Sequence, residues 1–182
     1  MAIDKIMSLL VVAYPVLNET DFDLIENQRK VSDPLQKVIA PHFTFVFPVV
    51  DFPADEFCRE IRAQLNNIYA FPFLISRAIG HRDEFTGNHL ALLVPGPGAA
   101  QIANVHDLLY SGLLRKHLRR DLPFVPHVTI GTFTDELSRK VVEEWNSKNV
   151  EIRGIISSLD ILTYENDRVE TIQKIILLSE AS

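Results

Sequence analysis

Pro41-His42-Phe43-Thr44-Phe45 and Pro126-His127-Val128-Thr129-Ile130 repeat one pattern, Pro-His-apolar-Thr-apolar, once in each half of a 182-residue chain. On an extended strand, residues two apart share a face, so in each copy the histidine and threonine point one way and the apolar residues the other. Each copy therefore offers an imidazole and a hydroxyl to a cleft while Phe43, Phe45, Val128 and Ile130 anchor it in a core. Proline suits the first position of such a strand, where it costs no central ladder hydrogen bond. One copy carries little weight, because histidine and threonine are common in strands. Two copies, each led by proline and placed in equivalent halves, define a shared site.

Outward from the motifs, strand-like runs rich in Val, Ile, Phe and Leu are predicted at 5–13, 42–47, 71–79, 89–94, 127–132, 152–164 and 171–178. Four helices are predicted between them. The first, 18–31, opens on the capping cluster Asn18-Glu19-Thr20-Asp21 and places Phe22, Ile25 and Arg29 at helical spacing. The second, 51–65, has Pro53 in its first turn and an apolar stripe of Phe57, Ile61 and Leu65. The third, 99–118, aligns Ile102, Val105, Leu109 and Leu113, and the fourth, 135–147, aligns Leu137, Val141 and Trp145. Pro95-Gly96-Pro97-Gly98 is the strongest turn signal and falls near the midpoint. The order is strand, helix, motif strand, helix, two strands, helix, motif strand, helix, two strands. Each half repeats the same pattern around its own motif, which predicts one α+β domain of two lobes with small antiparallel or mixed sheets.

Composition bounds the function. Apolar content of 47% and charged content of 23% are those of a soluble globular domain. A net charge of −6 argues against sequence-independent binding to long DNA or RNA, which runs on phosphate neutralisation, but leaves room for a small nucleotide or an RNA end in a local basic pocket. The single cysteine, Cys58, forms no internal disulfide and reads as a structural thiol in a reducing, cytoplasmic setting. The run Leu9-Leu10-Val11-Val12-Ala13 is too short to span a bilayer and reads as a core strand, so no membrane partner is expected.

Opening a cyclic phosphodiester requires a water deprotonated on one side of phosphorus and an alkoxide protonated on the other. Two histidines across a groove suit that geometry, since imidazole titrates near neutral pH. Thr44 and Thr129 are the candidates to hydrogen-bond the non-bridging phosphate oxygens and hold phosphorus between the rings. Arg77, Arg82, Arg115, Lys116, Arg119 and Arg120 are candidates for a local positive field, and Phe47 or Tyr164 for stacking a base, each set against ordinary surface or core duty. His81, His89, His106 and His117 form no metal-ligand spacing, His106 reads as structural or surface-exposed, and no glycine-rich phosphate loop is present.

With these residues in hand, the chain resembles the 2H phosphoesterase superfamily, which includes the bacterial 2′-5′ RNA ligase-like proteins and cyclic nucleotide phosphodiesterases and is marked by two His-x-Thr/Ser-x motifs. His42-Phe43-Thr44-Phe45 and His127-Val128-Thr129-Ile130 match those motifs. Flanking phrases at 40–48, 108–114 and 123–127 are similar to a compact bacterial branch of it. The resemblance implies a bilobal fold over residues 1–182, with pseudo-twofold symmetry, a central cleft between two small sheets and helices outside. It also implies hydrolysis or formation of 2′,3′-cyclic or 2′-5′ phosphate bonds without metal or cofactor. The residues leave the order of acid and base open; the resemblance tilts it toward His42 as proton donor and His127 as proton acceptor. The expected substrate is a nucleotide or RNA end, and the expected state a monomer. A phosphate-binding module with little catalysis and a metal-dependent hydrolase are the competing readings; two titrating imidazoles disfavour the first.

Overall fold

The computed structural model describes residues 7–84 and 86–179. Along the chain run β1 (Ser8–Ala13), β2 (Val16–Leu17), α1 (Glu19–Ser32), β3 (Phe43–Val49), α2 (Ala54–Leu65), β4 (Phe71–Arg82) and β5 (His89–Pro95). There follow α3 (Ala99–Leu109), a 3-10 turn (Leu113–His117), β6 (Val128–Phe133), α4 (Asp135–Ser147), β7 (Ile152–Ile156), β8 (Ser158–Glu165) and β9 (Arg168–Ile176). Residues 5 and 6 of the first predicted strand lie outside the described residues.

The strands form two antiparallel sheets, ordered β3-β1-β8-β9 and β2-β7-β4-β5-β6. Neither sheet belongs to one half of the chain. The first motif strand, β3, closes a sheet whose other edge comes from the last hairpin, and the second, β6, closes the other sheet. The predicted run 152–164 is in fact two strands: β7 pairs with β4 in one sheet and β8 with β1 in the other. The crossing falls at Ser157, and no Gly or Pro marks it, so the apolar pattern reads straight through.

One continuous core joins both sheets to the helices. Phe43 and Phe45 from β3 and Val128 and Ile130 from β6 are buried in it, together with Phe57, Ile61, Leu65, Ile102 and Leu109. Phe43 meets Phe73 of the other sheet edge-on, ring centroids 5.0 Å apart. The start of α1 follows the predicted chemistry, the Asn18 side chain accepting the Asp21 amide at 2.8 Å with Glu19 and Asp21 in the first turn, whereas α2 begins at Ala54 and leaves Pro53 just before its first turn rather than in it. α3 stops at Leu109, short of the predicted 118. Gly112 admits the Glu60 carboxylate of α2, which accepts the Leu113 amide at 3.0 Å, and a Cβ at Gly112 would stand 1.8 Å from that oxygen. The chain restarts as the 3-10 turn, leaving Leu113 exposed and putting Leu114 in the core. Within the predicted stripes, Phe22 and Leu137 are also exposed, whereas Ile25, Arg29 and Trp145 are buried.

Three helices also cap strand edges with side chains. His106 Nδ1 donates to the Phe45 carbonyl at 2.8 Å, and the Tyr110 hydroxyl accepts the Phe47 amide at 3.0 Å, so one face of α3 stands in for a neighbour of β3. Asn146 of α4 grips Ala78 through both its amide and carbonyl, at 2.8 and 3.0 Å. Ser32 of α1 reaches the Ile130 carbonyl of β6 at 2.9 Å. Edge groups that would otherwise be open to other strands are thus satisfied internally.

Candidate active site

Both motifs keep the predicted alternation. Phe43, Phe45, Val128 and Ile130 are buried, and His42, Thr44, His127 and Thr129 are half-buried between them. Thr44 pairs with Val12, and so shares the sheet face where Leu10, Val12, Ile39 and Leu162 form a second small apolar cluster. Thr129 pairs with Leu92 in the other sheet.

The two histidines are held in the same way. His42 Nδ1 lies 2.8 Å from the Ala40 carbonyl, and His127 Nδ1 lies 2.7 Å from the Val125 carbonyl, each two residues back across the motif proline. A carbonyl only accepts, so Nδ1 carries the proton and Nε2 of each neutral ring has its lone pair free. The proline serves this contact: it fixes its own φ and keeps the preceding residue extended, which aims that residue's carbonyl back at the ring.

Electrostatics bring the rings together. The His42 pKa is pushed down to about 4, mainly by desolvation, with the Ala40 carbonyl opposing and the charges of Arg29 and His127 deepening the shift; Asp33 opposes weakly. The His127 pKa is also lowered, by desolvation first, against the Val125 carbonyl and with help from His81. Each ring keeps an open edge, yet enough protein surrounds it for desolvation to dominate. His127 thus stands within electrostatic reach of His42, and His81 of His127, and the lowered pKa values keep both imidazoles neutral at neutral pH.

Three neighbours of the motifs escaped the sequence reading as site residues. Tyr14 lies edge-on to His42 with centroids 6.4 Å apart, and its hydroxyl is pushed up to about 12 by burial and by nearby Asp160. Asp160 is itself buried, its carboxyl raised by desolvation against Lys174. Arg29 is a fully buried guanidinium. Its helical spacing with Ile25 is the signal that it faces inward, although spacing alone says nothing of charge.

The remaining candidates scatter. Phe47 is 44% exposed and contacts His106 and Phe124 edge-on, while Tyr164 packs against the second apolar cluster and hydrogen-bonds Asp167. Arg77, Arg82, Arg115, Lys116, Arg119 and Arg120 are exposed, Arg119 pairing with Asp121 at 2.6 Å. His106 is buried and structural, stacked on Phe124. Cys58 is half-buried and its thiol pKa is raised by burial, the opposite of a nucleophile's need. Among the described residues no group of three or more His, Cys, Asp and Glu is arranged to hold a metal ion, and no helix is long and apolar enough to cross a membrane.

Residues 18–168 match the family model of the 2′-5′ RNA ligase superfamily. No curated protein matches the chain. Among solved structures, E. coli LigT with 3′-AMP is similar at TM-score 0.63 and 14% identity, covering 95% of this chain and 99% of that one. LigT in its apo form gives 0.57 and 14% over 96% and 99%. Kluyveromyces marxianus Usb1 gives 0.54 and 11% over 95% and 99%. At these identities the likeness is one of fold.

Proposed function

Since the chain belongs to the 2′-5′ RNA ligase superfamily, we propose that it is a metal-independent phosphoesterase. In this reading it opens 2′,3′-cyclic phosphates, or cleaves and reversibly forms 2′-5′ phosphodiesters, on nucleotides or RNA ends. The observation that carries the proposal is the matched pair of Nδ1 contacts, 2.8 Å at His42 and 2.7 Å at His127, which leaves two Nε2 atoms for one bound group. The buried His106 makes the same kind of Nδ1 contact, to the Phe45 carbonyl; His42 and His127 differ in being half-buried, so that Nε2 of each is left for a proton-transfer task.

In the proposed step, water attacks phosphorus in line with the departing ribose oxygen. His127 Nε2 takes the water proton as the new P–O bond forms, and His42 Nε2–H gives its proton to the alkoxide as the old one breaks. The Thr44 and Thr129 hydroxyls donate to the non-bridging oxygens. The charge of Arg29 makes protonated His42 the stronger acid, which suits the donor role, and the bound phosphate anion supplies the charge that draws a proton onto it. In the reverse direction the two rings exchange roles.

LigT has been crystallised with 3′-AMP, NADP+ and ATP, and Usb1 with uridine monophosphate, which supports a small nucleotide or a nucleotide end as substrate. Both motifs come from one chain, so the proposed site needs no second copy and the protein acts as a monomer. The test is hydrolysis of the four nucleoside 2′,3′-cyclic phosphates in EDTA. Turnover that survives the chelator and falls at least about 100-fold in both His42→Ala and His127→Ala is expected. Tight binding without turnover across the panel would leave a binding module instead.

A further inference from the structure

α1 touches both motif segments through side chains one helical turn apart. Arg29, 2% exposed, directs Nε at Asp33 (2.8 Å), Nη1 at Glu26 (2.5 Å) and Nη2 at the carbonyl of Ile39 (2.6 Å). Ile39 directly precedes Ala40, whose carbonyl holds His42. Three residues on, the Ser32 hydroxyl shares its one proton between the carbonyl of Gln28 one turn back, at 2.8 Å, and the carbonyl of Ile130, the residue after Thr129, at 2.9 Å. Ser32 in turn accepts from Gln28 Nε2 at 3.1 Å, and the Gln28 oxygen accepts from the Trp145 indole at 3.3 Å, so the serine is fixed from behind. Gly131 makes the approach possible, since a Cβ there would fall 2.4 Å from Ser32 Oγ. Residues three apart on a helix share a face. One rigid face therefore fixes the foot of the first motif and the middle of the second.

We propose that Arg29 and Ser32 are positioning residues that make α1 the gauge for the groove, setting the separation of His42 and His127 so that one phosphorus lies within reach of both. The inference rests on the phosphoesterase reading for its chemistry and on the contacts of α1 for its geometry. The two motif strands lie at the edges of different sheets, so no backbone ladder joins them. A guanidinium with all three nitrogens committed, and a hydroxyl backed by a second hydrogen bond, supply the fixed points that the sheets do not. In-line transfer punishes small displacements: a shift of about 1 Å costs on the order of 100-fold in rate.

Three variants separate positioning from folding. Ser32→Ala cuts the tie to Ile130 and leaves the Glu26-Arg29-Asp33 cluster whole, so it carries the test even where an Arg29 variant fails to fold. Arg29→Lys keeps the charge and loses the fork, and Arg29→Met loses both. On a nucleoside 2′,3′-cyclic phosphate, Ser32→Ala and Arg29→Lys are expected to lower kcat about tenfold or more with KM within about threefold. The charged groups facing His42 are Arg29 and Asp33 at the end of α1 and His127 across the groove, with the Tyr14 ring edge-on. Removing the guanidinium charge in Arg29→Met moves the His42 limb of the rate profile to higher pH, whereas Arg29→Lys leaves it in place. Wild-type kcat in folded Ser32→Ala and Arg29→Lys overturns the proposal. Imidazole NMR during titration with inorganic phosphate reads the same geometry without turnover: in the wild type one phosphate perturbs His42 and His127 with one affinity, and in Ser32→Ala that affinity drops about tenfold. An unchanged joint response in Ser32→Ala also overturns it. Wild-type protein that shows the joint phosphate response but opens no cyclic phosphate sinks the phosphoesterase reading alone, and the variant titration then decides the positioning. If neither histidine of the wild type responds to phosphate, both readings fall.

Discussion

The imidazole of His106 lies flat against the ring of Phe124, centroids 3.7 Å apart and planes within 1° of parallel. The same imidazole donates to the Phe45 carbonyl, so one side chain of α3 holds the first motif strand by a hydrogen bond and the approach to the second motif by a stack. Phe124 immediately precedes Val125, whose carbonyl fixes the His127 tautomer. A change at His106 should therefore be felt at both histidines. His106→Leu is expected to destabilise the fold by about 2 kcal/mol, because it leaves a buried carbonyl without its donor. Phe124→Ala, at a half-buried site, should lower kcat about tenfold with a smaller loss of stability. Urea unfolding alongside kinetics checks both, and a Phe124→Ala enzyme with unchanged kcat would cut Phe124 out of the site's support.

Both histidine pKa values lie below the ordinary 6.5, His42 at about 4. With one ring required neutral and the other protonated, kcat/KM for a cyclic phosphate is expected to be bell-shaped with its maximum on the acid side of pH 6.5. A maximum above pH 7 would contradict the paired assignment.

Stability carries the same signature with a definite sign. A histidine whose folded pKa is depressed binds its proton more readily unfolded, so stability is fully present above pH 6.5 and is lost as pH falls from 6.5 toward 4. For His42 the loss is about 2 kcal/mol once the solvent reaching the ring is allowed for. Thermal unfolding between pH 7.5 and 4 should show this fall, and His42→Gln should flatten it; an identical pH slope in His42→Gln would refute the cause.

Asp160 is buried on β8, and desolvation raises its carboxyl pKa. A carboxyl with a raised folded pKa destabilises the fold above that pKa and costs nothing once protonated in both states. Asp160→Asn is expected to raise stability by about 1 kcal/mol at pH 7 and to lose that advantage below about pH 4. Melting temperatures at the two pH values decide it, and a variant less stable at pH 7 than the parent would mean that Lys174 outweighs the cost of burial.

Period-two alternation in 41–45 and 126–130 gave away the strands, their buried faces and the side from which the imidazoles emerge, because the pleat is a local property. Helix starts were equally legible where a side chain such as Asn18 caps its own turn. Sheet membership was not, since the partner of β1 is chosen by surface fit more than a hundred residues away and Ser157 gives no local sign of the crossing. β2, only two residues long, has too few positions to show a period. The end of α3 was hidden for a related reason: it depends on Glu60 of another helix. Arg29 is the clearest case at the site. Its spacing marks it as inward-facing, but only the fold reveals that Glu26, Asp33 and the Ile39 carbonyl meet it there.

The strand order β3-β1-β8-β9 also has a consequence for biosynthesis. The strand that follows His42 is made early and pairs with β1, but the other neighbour of β1 is β8, whose residues leave the ribosome after nearly everything else. Until then one side of β1 has no partner, although His42 and His127 have both been synthesised. A nascent chain arrested before residue 158 would carry both histidines and both threonines of the proposed site and still lack the sheet on which its first half is built.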